Sequence, residues 1–437
     1  MKPARLVALF AALAIVAAAC TGDDEGEGTT GGGETGTTGP QEEVTLQWWT
    51  LSEDVGVFED ELVTAFEAAH PNIKVEVTTY PEGNFGVKVD TAIAAGKPPD
   101  VVSYPGLQWM KEGLLVPLDD MVAEEGIDLS GFNPAIVGTS EQTNAEFGCA
   151  YDGKLYCLGS FLGSVVLLYN KDMFDAAGIA YPPTWPPMSV DTFVEDSCAL
   201  TDEENGVWGS AYGDPVTWLP WETFVSSDGL TVTGYVNGPE SVHVHEVLAR
   251  GVLDGCAPSL NMMDPWEQGQ DFFADGKLAM VVGGFQGLEQ LEDAGINYGV
   301  SGLPTPEGVE PFFNTWSDGM AIFASSPYQE EAKQLVAFLA TEGQLIRAQA
   351  GDFPLDATVA EETGWTQGIP GREEGVEVLP HARGAVFIPN RWDTFGPIFD
   401  AFGFITAGDK TAQEALDDAE PPLQENLDKA WRLWNQD

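Results

Sequence analysis

An α/β protein of two lobes is the fold this chain predicts, and three observations carry that expectation. The chain has 437 residues, and single cores stop growing near about 250–300 residues. Hydrophobic residues make up 43% of it, with 13 Trp, 10 Tyr and 23 Phe, so material for packed cores is ample and wholesale disorder is excluded. Short apolar runs alternate with helix-period segments, the pattern of βαβ units and mostly parallel sheets. No repeat of solenoid length interrupts that alternation.

The elements follow in order. Val44 to Trp49 reads as a strand, and Phe58 to Ala69 has helical spacing that ends at His70 and Pro71. Ile73 to Thr79 alternates as a second strand. Val87 to Ala95 is helical, stopped by Gly96, Pro98 and Pro99, and Asp100 to Tyr104 is a third strand. Val165 to Tyr169 is an apolar strand, and Ser189 is placed to cap a helix running to about Cys198. Glu240 to Leu253 reads as helix, Leu278 to Val282 as strand, and Pro327 to Leu339 as an amphipathic helix. Thr411 to Leu427 is helical and interrupted at Pro421 and Pro422, because proline lacks the N–H and clashes with the preceding turn.

The start of the chain is an address. Lys2 and Arg5 precede an unbroken apolar run, Leu6 to Ala19, too short to span a bilayer and of the length of a secretion signal. Three alanines then lead into Cys20. This resembles the lipobox of bacterial lipoproteins, whose cysteine is lipidated, although Ala17 stands where leucine is usual. Ala17 and Ala19 also satisfy an ordinary signal-peptidase site, so plain secretion is the alternative. Thr21 to Glu43 is Gly, Thr and acid with no apolar residue, a flexible tether. A tether directly after the cysteine makes sense if Cys20 holds lipid. The expected arrangement is a signal over 1–19 and a lipid-anchored tether over 20–43, with the protein at the outer face of the cell membrane.

Charge excludes one class of partner. Seventy acids against 18 bases give −52, a field that repels phosphate backbones, so no nucleic-acid partner is expected. Such an acidic surface suits salty surroundings, where screening is strong. Beyond Cys20 four cysteines remain, an even number in an oxidising compartment. They allow three pairings. Cys149 and Cys157 flank the turn signal Asp152-Gly153, and a three-residue loop Asp152–Lys154 would set them opposite. The favoured pairing is therefore Cys149–Cys157 with Cys198–Cys256.

A search for catalytic signatures finds no nucleophile elbow, zinc-protease motif, C-x-x-C or phosphate loop. His243 and His245 lie two apart on a helix, where side chains point about 200° apart, against a shared metal. No metal and no cofactor are expected. With so many acids, a carboxylate pair at glycosidase spacing is always available somewhere, but none stands in a local motif.

Several segments together resemble the extracytoplasmic solute-binding proteins of ABC importers, in the carbohydrate-binding family that includes maltose-binding protein. They are Trp48-Trp49, A-A-G-K-P-P-D-V-V (94–102), the run from Gly113 to Asp119, D-G-K-L-Y-C-L-G (152–159) and V-L-L-Y-N-K-D-M-F (166–174). P-P-T-W (182–185), F-A-D-G-K-L-A-M-V-V-G-G-F (273–285), L-P-T-P-E-G (303–308) and the helix of 330–340 complete the series. They fall in family order across residues 44–430. The resemblance implies a two-lobed periplasmic-binding-protein-like fold with crossing hinge strands, closing over its ligand. Lobe one would comprise 44–160 and 312–385. Lobe two would comprise 161–311 and the C-terminal helices of 386–437.

A sugar needs aromatic platforms and planar polar groups, and open α/β sheets bind ligands at the carboxyl ends of strands. The candidates are Trp49, Ser52 and Glu53 after the first strand and Tyr104 after the third. Asp214, Trp218 and Trp221 lie in G-D-P-V-T-W-L-P-W. Phe285 stands where the family commonly has Trp, Trp316 and Asp318 open a crossover strand, and Arg391 and Trp392 lie near the family's late aromatic contact. Trp48 and Trp49 point to opposite faces, and Trp49 is taken as the cleft residue. The expected protein is a monomeric, non-enzymatic receptor that delivers a carbohydrate to ABC permease subunits. Its alternatives are the same fold binding a polyol phosphate, peptide or metal, or a surface glycosidase.

Overall fold

The computed structural model describes residues 43–52, 58–137, 148–213, 219–259, 262, 265–285, 288–383, 386–389 and 391–435. The signal, Cys20 and the tether lie outside them. Residues 43–437 cluster as one compact unit.

The first sheet forms where the sequence places strands. β1 (Val44–Leu51) pairs in parallel with β2 (Ile73–Tyr80), with α1 (Phe58–Ala69) between them in the chain. α2 (Glu82–Ala94) then leads to β3 (Val101–Val102), parallel to β1 on its other side. Alternate residues Leu46 and Trp48 are buried while Gln47 and Trp49 are half-exposed, the period of two that a strand imposes. Asp100, in the A-A-G-K-P-P-D segment, is a structural buried acid. Its carboxylate accepts the Gln47 N–H at 2.8 Å and the Ser326 hydroxyl at 2.5 Å.

Short helices α3 (Leu107–Lys111), α4 (Asp119–Glu125) and α5 (Pro134–Val137) follow. Next comes a hairpin of β4 (Ala150–Tyr151) and β5 (Lys154–Leu155). Its turn is two residues, not the expected three: Asp152 at φ 49° and Gly153 at φ 72° make it, the left-handed pair of a tight hairpin. Cys149 thus faces Tyr156, whose N–H donates to the Cys149 carbonyl at 2.7 Å. Cys149 bonds Cys157 one position further on, and Cys198 bonds Cys256.

β6 (Gly163–Ser164) leads into β7 (Val166–Asn170), α6 (Lys171–Ala177) and α7 (Val190–Leu200), the last capped by Ser189 accepting the Thr192 N–H. β8 (Trp208–Ser210), α8 (Pro239–Leu253), α9 (Pro265–Ala274), β9 (Leu278–Gly283), α10 (Leu288–Asp293) and β10 (Tyr298–Ser301) complete the second sheet, in order β10-β7-β9-β8. The expectation of mostly parallel sheets fails here. β7 runs antiparallel to both β9 and β10. The two flanking strands are parallel to each other, a βαβ unit through α10, with β7 inserted between them in reverse.

β11 (Phe313–Trp316) is the return crossing. It pairs antiparallel with β6 and parallel with β13 (Ala382–Arg383), giving a three-stranded ribbon separate from both main sheets. β12 (Ala321–Ile322) then joins the first sheet beside β3. α11 (Gln329–Ala340), α12 (Glu342–Gln349), α13 (Ala357–Thr363) and α14 (Arg372–Val378) follow. After β13 the chain ends in α15 (Arg391–Thr406) and α16 (Ala412–Trp434). α16 runs unbroken through Pro421 and Pro422, against the expected interruption. It buries Ala415, Leu416, Ala419, Leu423, Leu427 and Ala430 on one face. That burial, at about 1.5–3 kcal/mol for each of the three leucines with the alanines adding to it, is of the size needed to offset about 3 kcal/mol for each proline.

Candidate ligand-binding cleft

The loops at the carboxyl ends of the first sheet's strands meet. Trp48 is 2% exposed and its Nε1–H donates to Ser103 Oγ at 2.9 Å. Trp49 turns to the other face and meets the Tyr80 ring edge-on at 5.1 Å. Ser52, exposed, donates its N–H to the Tyr80 carbonyl at 2.9 Å. Tyr104 takes the left-handed conformation at φ 54°, an uncommon one for a residue with Cβ. Its N–H donates to the Asp318 carbonyl at 2.6 Å. The end of β3 is thereby tied to the segment following β11.

Asp318 is the centre of a buried polar group. Its carboxylate accepts the Ser160 N–H at 2.7 Å, the Ser160 hydroxyl, and the Ser317 hydroxyl at 3.0 Å. The Arg347 guanidinium lies 3.8 Å away, donates its Nε–H to Asp352 at 2.7 Å, and stacks over the Phe161 ring at 4.3 Å. Ser160 and Phe161 precede β6, and Asp318 follows β11. One buried acid therefore fixes both crossing strands where they enter the first lobe. Arg347 was missed from the sequence, because its partners Asp318 and Phe161 are distant in the chain and no local motif marks it. Among the described residues the buried acids are Asp100, Asp318 and Asp352.

The predicted aromatics divide. Trp316, half-buried, ends β11 directly against Gly163, where a Cβ would come within 2.2 Å of its ring. Phe285 is 2% exposed and enclosed by Phe353 at 5.1 Å and Trp365 at 6.2 Å. Trp221 is 4% exposed, with Phe395 edge-on at 4.8 Å, in the core between the second sheet and α15. Neither offers an open ring face in this conformation. Glu53, Asp214 and Trp218 lie outside the described residues. Arg391 and Trp392 open α15, but their side chains are outside the description.

A cavity of about 550 Å³ opens beside these loops, within the size of small-ligand sites. Gly106, Leu107 and Gln108, at the start of α3 just beyond Tyr104, form one wall with Asp90 of α2. Phe387, Ile388, Pro389 and Thr394, flanking the start of α15, form another, and α16 supplies Asn426, Lys429 and Trp434. Two amides, a hydroxyl, one acid, one ammonium and two aromatic rings converge there. None of these polar residues was a candidate from the sequence, because they lie on helices rather than in the loops after strands and come together only through tertiary contacts.

His243 and His245 point apart, as their spacing requires. His243 bonds Asp191 at 2.8 Å at the surface, and His245 is fully buried. Among the described residues no group of three His, Cys, Asp or Glu side chains is placed to hold a metal. Among them too, no helix is long and apolar enough to cross a membrane.

Two α/β lobes joined by crossing strands, with a cavity between the start of α3, the start of α15 and the last turns of α16, define a solute-binding architecture. The family model of the bacterial extracellular solute-binding protein matches residues 49–346, and this chain belongs to that family. The sn-glycerol-3-phosphate-binding periplasmic protein of Rhizobium meliloti is 26% identical over 86% of this chain and 91% of its own length. The Brucella abortus protein of the same name is likewise 26% identical, with the same coverage. Among solved structures, an ABC substrate-binding protein from Listeria monocytogenes in complex with cycloalternan superposes with TM-score 0.74 at 24% identity. It covers 89% of this chain and 100% of that one. The sugar-binding protein MalE from Xanthomonas citri does so with TM-score 0.72 at 19% identity, covering 90% and 100%. These likenesses show the fold.

Proposed function

We propose that this chain is the receptor of an ABC-type importer, capturing a carbohydrate by closure of its two lobes and handing it to membrane permease subunits. The observation that carries this reading is the 550 Å³ cavity between α3 and α15–α16, in a chain of the solute-binding family. Its amides Gln108 and Asn426 and the Thr394 hydroxyl suit bidentate contact with sugar hydroxyls, and Phe387 and Trp434 suit their C–H faces. Trp49, Ser52, Tyr104, Trp316 and Asp318, at the loops after the first sheet's strands and at the crossing, are further candidates, with Glu53, Asp214, Trp218, Arg391 and Trp392. Phe285 and Trp221 would reach ligand only if their covering rings moved. Closure is the signal: the transporter reads loaded from empty by conformation, so ligand must bind the closed state better.

The working lobe division is 44–160 with 312–385, and 161–311 with 386–437; the stretch 353–378 touches both, through Phe353 and Trp365 on Phe285. The mature chain is a monomer without enzymatic activity, tethered by lipid on Cys20. Replacing Cys20 with Ser would then release it from membranes into the medium, and unchanged membrane fractionation would remove the anchor.

A polyol phosphate is the second reading. It is favoured by the relatives named for glycerol 3-phosphate and by Lys429 in the cavity wall. The test of both is thermal shift of the full chain against mono- and oligosaccharides, glycerol 3-phosphate, peptides and divalent metals. A ligand at about 100 times its Kd adds about 2.7 kcal/mol. A shift with a sugar, uncleaved after long incubation, supports the first reading. A shift with glycerol 3-phosphate alone replaces it by the second, and cleaved sugar overturns the receptor reading.

A further inference from the structure

The final turns of α16 bridge the two lobes. Trp431 and Trp434 are three residues apart on one helix, yet they meet different parts of the chain. Trp431 packs with the second lobe, and its Nε1–H donates to the Gly229 carbonyl at 2.7 Å. Trp434 instead meets Tyr151 and Lys111, which belong to the first. Its ring stands edge-on to Tyr151 at 6.5 Å and against Phe387 at 4.7 Å. The Lys111 ammonium lies 4.8 Å over the Trp434 ring and donates to the Trp434 carbonyl. Lys111 ends α3 and Tyr151 lies in the hairpin stapled by Cys149–Cys157, both parts of the first lobe. Phe387 and α16 come from the C-terminal segment that covers the second sheet.

This contact is separate from the three-stranded ribbon at the crossing, and it borders the cavity, whose wall includes both the start of α3 and Trp434. Rotating the lobes so that the cavity widens pulls α3 away from α16 and separates Lys111 from Trp434. We propose that the last turn of α16 is a latch, with Trp434 as a positioning residue that stabilises the closed arrangement of the lobes. The latch deepens the receptor reading and rests on it for its purpose, though its existence can be tested without ligand. A cation over an indole shifts a two-state balance by about two- to thirtyfold, enough to bias it without locking it. Ligand contacts would add to that bias.

The test is small-angle X-ray scattering of the unliganded full chain with Trp434→Ala, Trp434→Phe and Lys111→Met, with circular dichroism to establish folding. The latch predicts a larger radius of gyration for W434A and K111M and recovery toward wild type for W434F, which keeps the aromatic face. An unchanged radius in folded W434A and K111M overturns it, and a smaller radius does too, since the contact would then favour the open form. If W434A does not fold, K111M decides alone. In parallel, affinity for maltotriose and for glycerol 3-phosphate is measured by calorimetry. Where either binds wild type, K111M, outside the cavity lining, should weaken it at least about twofold, because apparent Kd scales inversely with the competent population. Absence of binding by both probes to wild type counts against the receptor reading, while the scattering result still decides the latch.

Discussion

Arg347 and His245 carry the largest single-residue consequences, for opposite reasons. Arg347 is 5% exposed and shared between Asp318 and Asp352. Replacing it with Met keeps the packing over Phe161 but strands two buried carboxylates. Breaking one side of a buried pair costs about 3–5 kcal/mol, so R347M should lose about that much in urea unfolding at pH 7. A loss below about 1 kcal/mol would show that the acids are solvated without it. His245 is fully enclosed near Phe224 and Phe402, its Nδ1–H donating to the Ser241 carbonyl at 2.7 Å. Burial pulls its pKa down to about 4 from 6.5, partly opposed by the Ser241 carbonyl. The unfolded chain binds the proton first, so this contribution is complete above about pH 6.5 and disappears as pH falls toward 4, by about 3 kcal/mol. His245→Leu should flatten the stability difference between pH 7 and pH 4.5 relative to wild type; parallel profiles would refute the assignment.

At the scale of elements, the crossing ribbon is the most sequence-sensitive part. β6 and β11 approach closely because Gly163 leaves room for the Trp316 indole, and the Thr315 hydroxyl donates to the Gly163 carbonyl at 2.8 Å. Gly163→Ala forces the indole or the strand aside, which costs about 1–3 kcal/mol in overpacking. The expected readout is a lowered Tm with an altered Trp emission spectrum, and wild-type values for both would mean the ribbon yields freely. Elements with local signals were legible beforehand: the alternation in β1, the Ser189 cap, the helix of 239–253. The unbroken α16 was not. Proline chemistry is local, whereas the apolar face that overrules it is paid back only by a surface elsewhere in the chain. The order of the second sheet was hidden for the same reason, since strand direction depends on which strand is inserted between two others.

For the whole molecule, charge dominates. A net −52, with few acids buried, makes the compact state repel itself. Screening shortens the range of that repulsion to about 10 Å at 0.1 M salt. Raising NaCl from about 20 mM to about 500 mM should therefore lift the Tm by about 2 °C or more. A flat or falling Tm would mean that the acids are already neutralised by local partners.

Composition and period determined the α/β class of this chain, and the order of its motifs its likeness to solute-binding proteins. Those are local or additive properties, written in neighbouring residues. They also separated Trp48 from Trp49 and His243 from His245, because side-chain direction follows from backbone period alone. Only the tertiary structure decided that Asp318 is tied to Arg347 and Ser160 rather than open to solvent. It decided too that Phe285 and Trp221 are covered by other rings, and that α16 brings Lys429 and Trp434 to the cavity. Each of those outcomes depends on contacts between residues far apart in the chain, whose burial is fixed by how the lobes fill space rather than by any sequence period.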